Sequence, residues 1–536
     1  MKTDLLIIGS GGAALSAALE AKRAGIGTLV VSEGYPTRSQ TCMAQGGINA
    51  ALGNVEPDSI EMHIADTIKA SGGIASEKMI RKMCENAPET IAWLDHIGMP
   101  FSRTEEKKIA QRRLGGASSK RACYAQDYSG LKILHTLYDQ TLKEGVDFVN
   151  EHFLLDLIVE DHRVCGAYFL DIRTCEVKSI EASAVIIATG GYSALYYGYT
   201  TNQHGATGDG IAAALRAGAT VANMEFVQFH PTGLKSSGIL ISESARGAGG
   251  RLLNQNLERF VDELKPRDQV SRAIWEQIKV GNEVFLDIRH LGEAYIDEHI
   301  PQERRLAITY EGVDPVTDLI PIAPVAHYSM GGIKTDERMM STIRGLFAVG
   351  ECASAGVHGA NRLGGNSLLE VTAFGRIAGK EAAVYAKERS AHALFEADTK
   401  SMQQRIEALF ELPLEIDFYE KREKLGKTAY EKGGIERNEK DLEMLYEKVC
   451  HLKENLSKMG VFDKGTTYNT NLIERLKFAN SLEIAEALLL SALERKESRG
   501  AHFRSDYPSA SEKYEKETLC RKEERSLRID FERSVS

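Results

Sequence analysis

The segment from Leu5 to Val31 restricts the fold of this chain more than any other. Leu5-Leu6-Ile7-Ile8 is an unbroken apolar run, the pattern of a strand buried on both faces. Gly9-Ser10-Gly11-Gly12-Ala13-Ala14 follows, then an Ala- and Leu-rich helix to about Gly25, then a second apolar run, Thr28-Leu29-Val30-Val31. A strand, a glycine turn, a helix and a returning strand of this size form a dinucleotide-binding unit. Gly9 permits the tight turn and Gly11 lets backbone amides approach a pyrophosphate, whose charge the helix N-terminus faces. Ala14 fills the last position of the motif. Ser32, with Glu33 next to it, stands where a ribose hydroxyl is usually held.

Two later segments end in the same way. Ala184 to Ile187 is an apolar strand running through Ala188 and Thr189 into Gly190-Gly191, and Gly345 to Gly350 ends at the carboxylate of Glu351. Ligands lie at the carboxyl ends of the strands of a doubly wound sheet. Three such segments spread along the chain predict one FAD-binding domain interrupted by an insertion. The expected organisation is α/β: a Rossmann-like FAD-binding domain in two parts (1–223 and 324–394), an α+β capping domain between them (224–323), a C-terminal helical bundle (395–497) and a tail (498–536). The bundle is read from helical spacing at Leu445, Val449, Leu452, Leu456 and Met459, and again at Leu482, Ala485, Leu489 and Ala492. The Lys- and Glu-rich tail from Ser511 reads as a solvated or partner-contacting extension.

At 536 residues the chain exceeds what one core supports. The formal charge of -10 argues against a nucleic-acid partner, although local Arg and His clusters can still bind an anion. No apolar run approaches the ~18 residues that span a bilayer, so any membrane attachment is expected to come through a partner. The opening Met1-Lys2-Thr3-Asp4 shows no leader pattern, which predicts a cytoplasmic protein. Eight cysteines are scattered without a C-x-x-C pair, leaving no local signature for a metal or an iron–sulfur cluster.

A series of motifs runs in order along nearly the whole chain. They are the Gly9 loop, Ala44-Gln45-Gly46-Gly47, Thr207-Gly208-Asp209-Gly210, and Glu225-Phe226-Val227-Gln228-Phe229-His230-Pro231-Thr232-Gly233. Ser242-Glu243 through Arg246-Gly247, Pro266-Arg267-Asp268 and His327-Tyr328-Ser329-Met330-Gly331-Gly332 continue it. His358-Gly359-Ala360-Asn361-Arg362-Leu363 and Glu497-Ser498-Arg499-Gly500-Ala501-His502 complete it. In this the chain resembles the succinate dehydrogenase / fumarate reductase flavoprotein family, which includes L-aspartate oxidase. The resemblance implies a four-carbon dicarboxylate substrate, fumarate or succinate. It assigns one carboxylate to His230 and Ser242, the other to His327 and Arg362, and proton donation to Arg267, reloaded through Glu243 and Arg246. Arginine, with a pKa of roughly 12 or higher, donates a proton only if an aligned carboxylate and a second cation restore it at once. The cofactor would be held by Gly9, Gly11, Gly12, Ala14, Ser32, Ser39, Thr41, Gln45, Gly46, Gly47, Thr189, Gly190, Asp209, Glu351, Asn366, Ser367 and Leu368. Because the chain lacks cluster ligands, the resemblance also implies an iron–sulfur electron-transfer subunit as partner.

Departures from the family pattern sort its members. In Pro36-Thr37-Arg38-Ser39-Gln40-Thr41 the position where many members attach FAD through a histidine is Gln40, so dissociable FAD is expected, and with it a bias toward fumarate reduction. Leu114 stands where L-aspartate oxidases place a glutamate that meets the substrate amino group, and a Leu cannot counter an ammonium. In the other direction, Ser242 replaces the threonine usual in fumarate reductases, Ala248 replaces a usual glutamate, and the tail is short. The expectation is a fumarate reductase flavoprotein subunit, with L-aspartate oxidase as the alternative. A non-catalytic flavoprotein would not need this set of His, Arg and Glu residues.

Overall fold

The computed structural model describes residues 1–389, 397–524 and 526–534. Strand β1 (Lys2–Ile8) carries the first apolar run, and Leu5 to Ile8 are buried on both faces. It lies parallel between β2 (Thr28–Val31), with Leu5 opposite Thr28, and β3 (Glu176–Ile187), with Leu5 opposite Ala184. The short strand β4 (Leu346–Ala348) pairs parallel with β3, and Asp147–Val149 extends the other edge beyond β2. The three glycine-terminated segments are therefore neighbours in one sheet, and their carboxyl ends open on the same side.

Helix α1 (Gly12–Arg23) covers this sheet together with α2 (Asn366–Glu388). Their close approach depends on small residues. A Cβ at Gly375 would lie 2.8 Å from the Ala13 carbonyl oxygen, and one at Gly379 would lie 2.1 Å from that of Ala17. Gly9 has φ +110° and a Cβ there would sit 2.2 Å from the Ala188 carbonyl, so the turn between β1 and α1 admits only glycine.

The insertion forms a four-stranded antiparallel sheet with its own apolar core, in which Leu234, Ile241, Leu252, Val270, Ile274 and Leu286 are buried. Its strands include Val227–Leu234 and Ile320–Ser329. The second of these crosses the expected boundary at 323/324. The register between the two shifts at Gln228/Phe229 and again between His230 and Gly233. Such bulges re-aim side chains beside active sites.

Helices Phe418–Gly433, Glu439–Glu454 and Thr470–Glu494 make the C-terminal bundle, and Leu482, Ala485, Leu489 and Ala492 are all buried in it. The expected boundary at 394/395 lies outside the described residues. Two expectations are corrected. The periodic series from Leu445 does not continue as one helix: it ends at Glu454, Leu456 sits in a 3₁₀ turn, and Met459 is buried beyond it. The tail is not a solvated extension either. Glu517–Glu523 pairs with Val221–Ala222 and, as a hairpin, with Ser526–Glu532. Glu517 to Cys520 are buried there, with Lys334 neutralising Glu517. A long-range partner strand makes the difference, and composition alone carries no sign of it. Among the described residues no helix is long and apolar enough to cross a membrane.

Candidate active site

A cavity of about 460 Å³ runs from the β1–α1 turn to the inner face of the insertion. At the turn, Gly9, Gly11 and Gly12 line it, and the Gly12 amide donates to Thr41 Oγ1 at 3.0 Å. At the end of β2 are Ser32 and Glu33, the latter ion-paired with Lys477 from the helical bundle. Asp209, at the first turn of its helix, accepts from Asn480 at 2.6 Å. Burial, with the nearby Glu33 charge, pushes its carboxyl up to about 6.

Gly46, Gly47, Gly190, Ser367 and Leu368 line the same wall, together with Ser39, Gln45 and Thr189. Ser39 Oγ, Gln45 Oε1 and Thr189 Oγ1 are buried with no protein hydrogen-bond partner. A buried polar atom is rarely left unsatisfied, so three of them around one cavity point to a polar ligand. Gly191 marks how closely that ligand's wall is built: a Cβ there would lie 2.3 Å from Glu351 Oε1. Burial pushes Glu351 up to about 7 against the hydrogen bonds from Ser329. A glycine-lined helix terminus, a ribose-sized acidic corner and unsatisfied donors and acceptors along the wall fit FAD.

Two of the expected cofactor residues are not on this wall. Ala14 is fully buried in the α1 interface, because the third residue of a helix has already turned away from its N-terminal opening. Asn366 spends its side chain on Asn49, His63 and Thr67 at 2.8, 2.9 and 3.0 Å. Lys477 was not legible in sequence, since it lies on a helix face shared with Glu474, Asn480 and Ser481 and reads there as an ordinary polar position.

At the other end of the cavity the insertion brings in His230, Ser242, Glu243 and Arg267, while His327 and Arg362 arrive from the returning chain. Arg267, the first residue of helix α3 (Arg267–Lys279), donates through Nη2 and Nε to Glu243 Oε2 at 2.6 and 3.1 Å. Glu243 Oε1 accepts from the Gly115 amide at 2.9 Å and lies 3.3 Å from Arg246 Nη2. Arg246 does not reach the cavity; it is buried behind Glu243 and donates to the Glu263 carbonyl at 2.6 Å. Burial alone would raise the Glu243 carboxyl. The guanidiniums of Arg267 and Arg246, with the Arg267 hydrogen bonds, hold it below its ordinary value, so it is ionised.

His230 and His327 face each other with ring centroids 4.9 Å apart. Burial, then the charge of Arg267, keeps both well below the ordinary imidazole value, so both are neutral. His327 Nδ1 is 2.8 Å from Thr201 Oγ1, which orients the ring. Arg362 stacks on the Tyr328 ring at 4.2 Å and donates to Ser367 Oγ at 2.9 Å, with Nε left free. Burial and the charge of Arg267 lower it to about 10. Two guanidiniums thus bracket one carboxylate at this end and Arg362 adds a third charge on the same cavity wall, leaving an excess of positive charge shaped by neutral imidazoles. That is a receptor for a small dianion.

Leu114 is buried on the cavity wall against Gly46 and presents only methyl groups. Ser242 Oγ accepts from the Ser244 amide at 3.2 Å, and the Ser242 amide donates to Glu303 at 3.1 Å. Nothing in the structure explains why Ala248 stands at its position.

Comparison with known proteins agrees with this construction. Residues 4–368 match the model of an FAD binding domain, and residues 422–535 match that of the fumarate reductase flavoprotein C-term. The chain is 39% identical to the succinate dehydrogenase flavoprotein subunit of Rickettsia bellii, over 96% of this chain and 91% of that one. It is 40% identical to the 8-methylmenaquinol:fumarate reductase flavoprotein subunit of Wolinella succinogenes, over 94% and 86%. Among solved structures it is similar to an Escherichia coli quinol fumarate reductase, with a TM-score of 0.95 and 35% identity over 99% of this chain and 96% of that chain.

Proposed function

This chain belongs to the succinate dehydrogenase and fumarate reductase flavoprotein family, and from that premise we propose that it reduces fumarate to succinate as the catalytic subunit of a complex. The observation that carries the reading is the Arg267–Glu243–Arg246 chain at one end of the cavity, with Arg362 joined to Arg267 through the shared Gln228 oxygen. His230 and Ser242 hold one carboxylate of the substrate, and His327 and Arg362 hold the other. Arg362 polarises its carboxylate and makes the distal carbon electrophilic. Bound FAD supplies hydride exchange with the central carbon–carbon bond. Arg267 delivers a proton to the adjacent carbon, and Glu243, ionised and bonded to it at 2.6 Å, passes a replacement from Arg246. The insertion closes the site and excludes water, which strengthens every charge interaction within it.

Gln40 cannot form the covalent bond that a histidine makes to FAD, so the cofactor is dissociable and its potential favours fumarate reduction. Gln40 lines the cavity, and its amide oxygen accepts from the Gln203 backbone amide at 3.0 Å. Electrons come from an iron–sulfur partner subunit, consistent with relatives that are themselves named as subunits. Any membrane attachment lies with the partners, and the chain works in the cytoplasm. Leu114 excludes an amino group, which sets fumarate apart from L-aspartate as substrate.

The test is anaerobic. L-aspartate added to the oxidised holoenzyme leaves the flavin absorbance unchanged, while fumarate reoxidises the chemically reduced protein. Prompt bleaching by aspartate would establish an L-aspartate oxidase, and failure of fumarate to reoxidise the flavin would sink the reductase.

A further inference from the structure

Gln228 is fully buried and does not line the cavity, yet it touches both arginines of the site. Its Oε1 accepts from Arg267 Nη1 at 3.0 Å and from Arg362 Nη2 at 3.1 Å. The two guanidiniums come from different parts of the chain, one from the start of α3 and one from the loop before α2. They repel each other where both are almost fully buried and screening is weak. A single neutral oxygen shared between them therefore holds the two charges at a set separation.

The orientation of that amide is not a free choice. Asp268, paired with Arg272 at 2.9 Å, accepts from Asn361 Nδ2 at 3.0 Å. Asn361 must then present Oδ1 to its other neighbour, which is Gln228 Nε2 at 2.7 Å. The Arg362 carbonyl also accepts from Nε2, at 2.8 Å. Two acceptors fix the amino group on one side, so the oxygen points at the arginines.

We infer that Gln228 is a positioning residue for the reductive step, setting the distance between the proton-donating Arg267 and the carboxylate-holding Arg362, with Asp268 and Asn361 orienting it. The inference rests on the functional reading above and deepens it. A neutral acceptor is required here for two reasons. A carboxylate would neutralise the guanidiniums that attract the substrate. It would also set an anionic oxygen against Asn361 Oδ1 and the Arg362 carbonyl.

The experiment compares wild type, Q228L and Q228E as FAD-loaded proteins, with thermal melting and flavin content as folding controls. Fumarate reduction is measured from pH 6 to 9, and succinate affinity of the oxidised protein is measured by calorimetry. Q228L removes the shared acceptor, and a displacement of about 1 Å in the acid predicts a loss near 10²-fold in kcat. Q228E is close to isosteric. Protonated, it donates to Asn361 and accepts from both arginines as Gln228 does. Ionised, among Arg267, Arg362, Glu243, His230, His327 and Asp268, it still accepts from both arginines but can no longer donate to Asn361, and its charge cancels part of the attraction for the substrate. Its activity and its succinate affinity therefore fall at least tenfold as the pH rises, on a limb that wild type lacks. A role in packing alone moves melting and not this limb. Variants within threefold of an active wild type, with no new limb, overturn the spacing role by itself. A wild type that does not reduce fumarate overturns the functional reading and the spacing role together.

Discussion

Glu303 offers a quantitative test of how the insertion holds Ser242. It sits on the helix Pro301–Glu311, is fully buried, accepts the Ser242 amide through Oε2 and leaves Oε1 without a partner. Asp127, which caps the same helix through the Gln302 amide at 2.7 Å, also leaves one oxygen unpaired. Burial, then the charge of Asp127, pushes Glu303 from 4.5 up to about 8, against a pull from Arg112. Because the folded carboxyl titrates above the unfolded one, its contribution to stability is complete below about pH 4.5 and is lost as the pH climbs toward 8.

Glu303→Gln keeps an acceptor for Ser242 and removes this dependence. At about 1.4 kcal/mol per pH unit, the variant should gain roughly 3 kcal/mol on wild type between pH 5.5 and 7.5, an upper figure if Asp127 relaxes as well. Urea midpoints of both proteins, measured with FAD at the two pH values, give the difference directly. A gap that stays constant with pH, or a variant less stable than wild type at pH 7.5, would refute the assignment of a protonated carboxyl at this position.

Three further outcomes are expected. Arg267→Ala should lose 10²- to 10⁴-fold in kcat while the flavin spectrum shows FAD still bound, as expected for loss of a general acid; retention of a tenth of wild-type activity would remove Arg267 from that role. Arg362→Lys should raise the KM for fumarate about 10- to 100-fold, since an ammonium cannot give the planar paired contact while also meeting Gln228; an unchanged KM would move the second carboxylate elsewhere. Acid precipitation should leave the flavin in the supernatant, because Gln40 cannot link it, and a yellow pellet would contradict this.

Much of the site was legible in the sequence because its motifs are local. The turn after β1 is read from four adjacent apolar residues and the glycines that follow them, a pattern that needs no distant residue, although the Ala188 carbonyl that makes Gly9 obligatory is distant. His230, Glu243, Arg267 and Arg362 were picked out by the resemblance of their short motifs to those of the family, each of which is local in the chain. Tertiary structure decided what those residues touch. Ala14 and Asn366 fit the expected cofactor set by position but face a helix interface and a polar cluster. The tail became a sheet hairpin because Val221–Ala222, nearly three hundred residues earlier, offers it an edge. Gln228, an ordinary amide in the sequence, gained its place only when α3 and the loop before α2 brought two guanidiniums to one oxygen. Glu303 owes its raised carboxyl to burial and to Asp127 in the same way. Local periodicity and steric limits act over a few residues, whereas charge spacing and burial depend on neighbours that only the folded chain assembles.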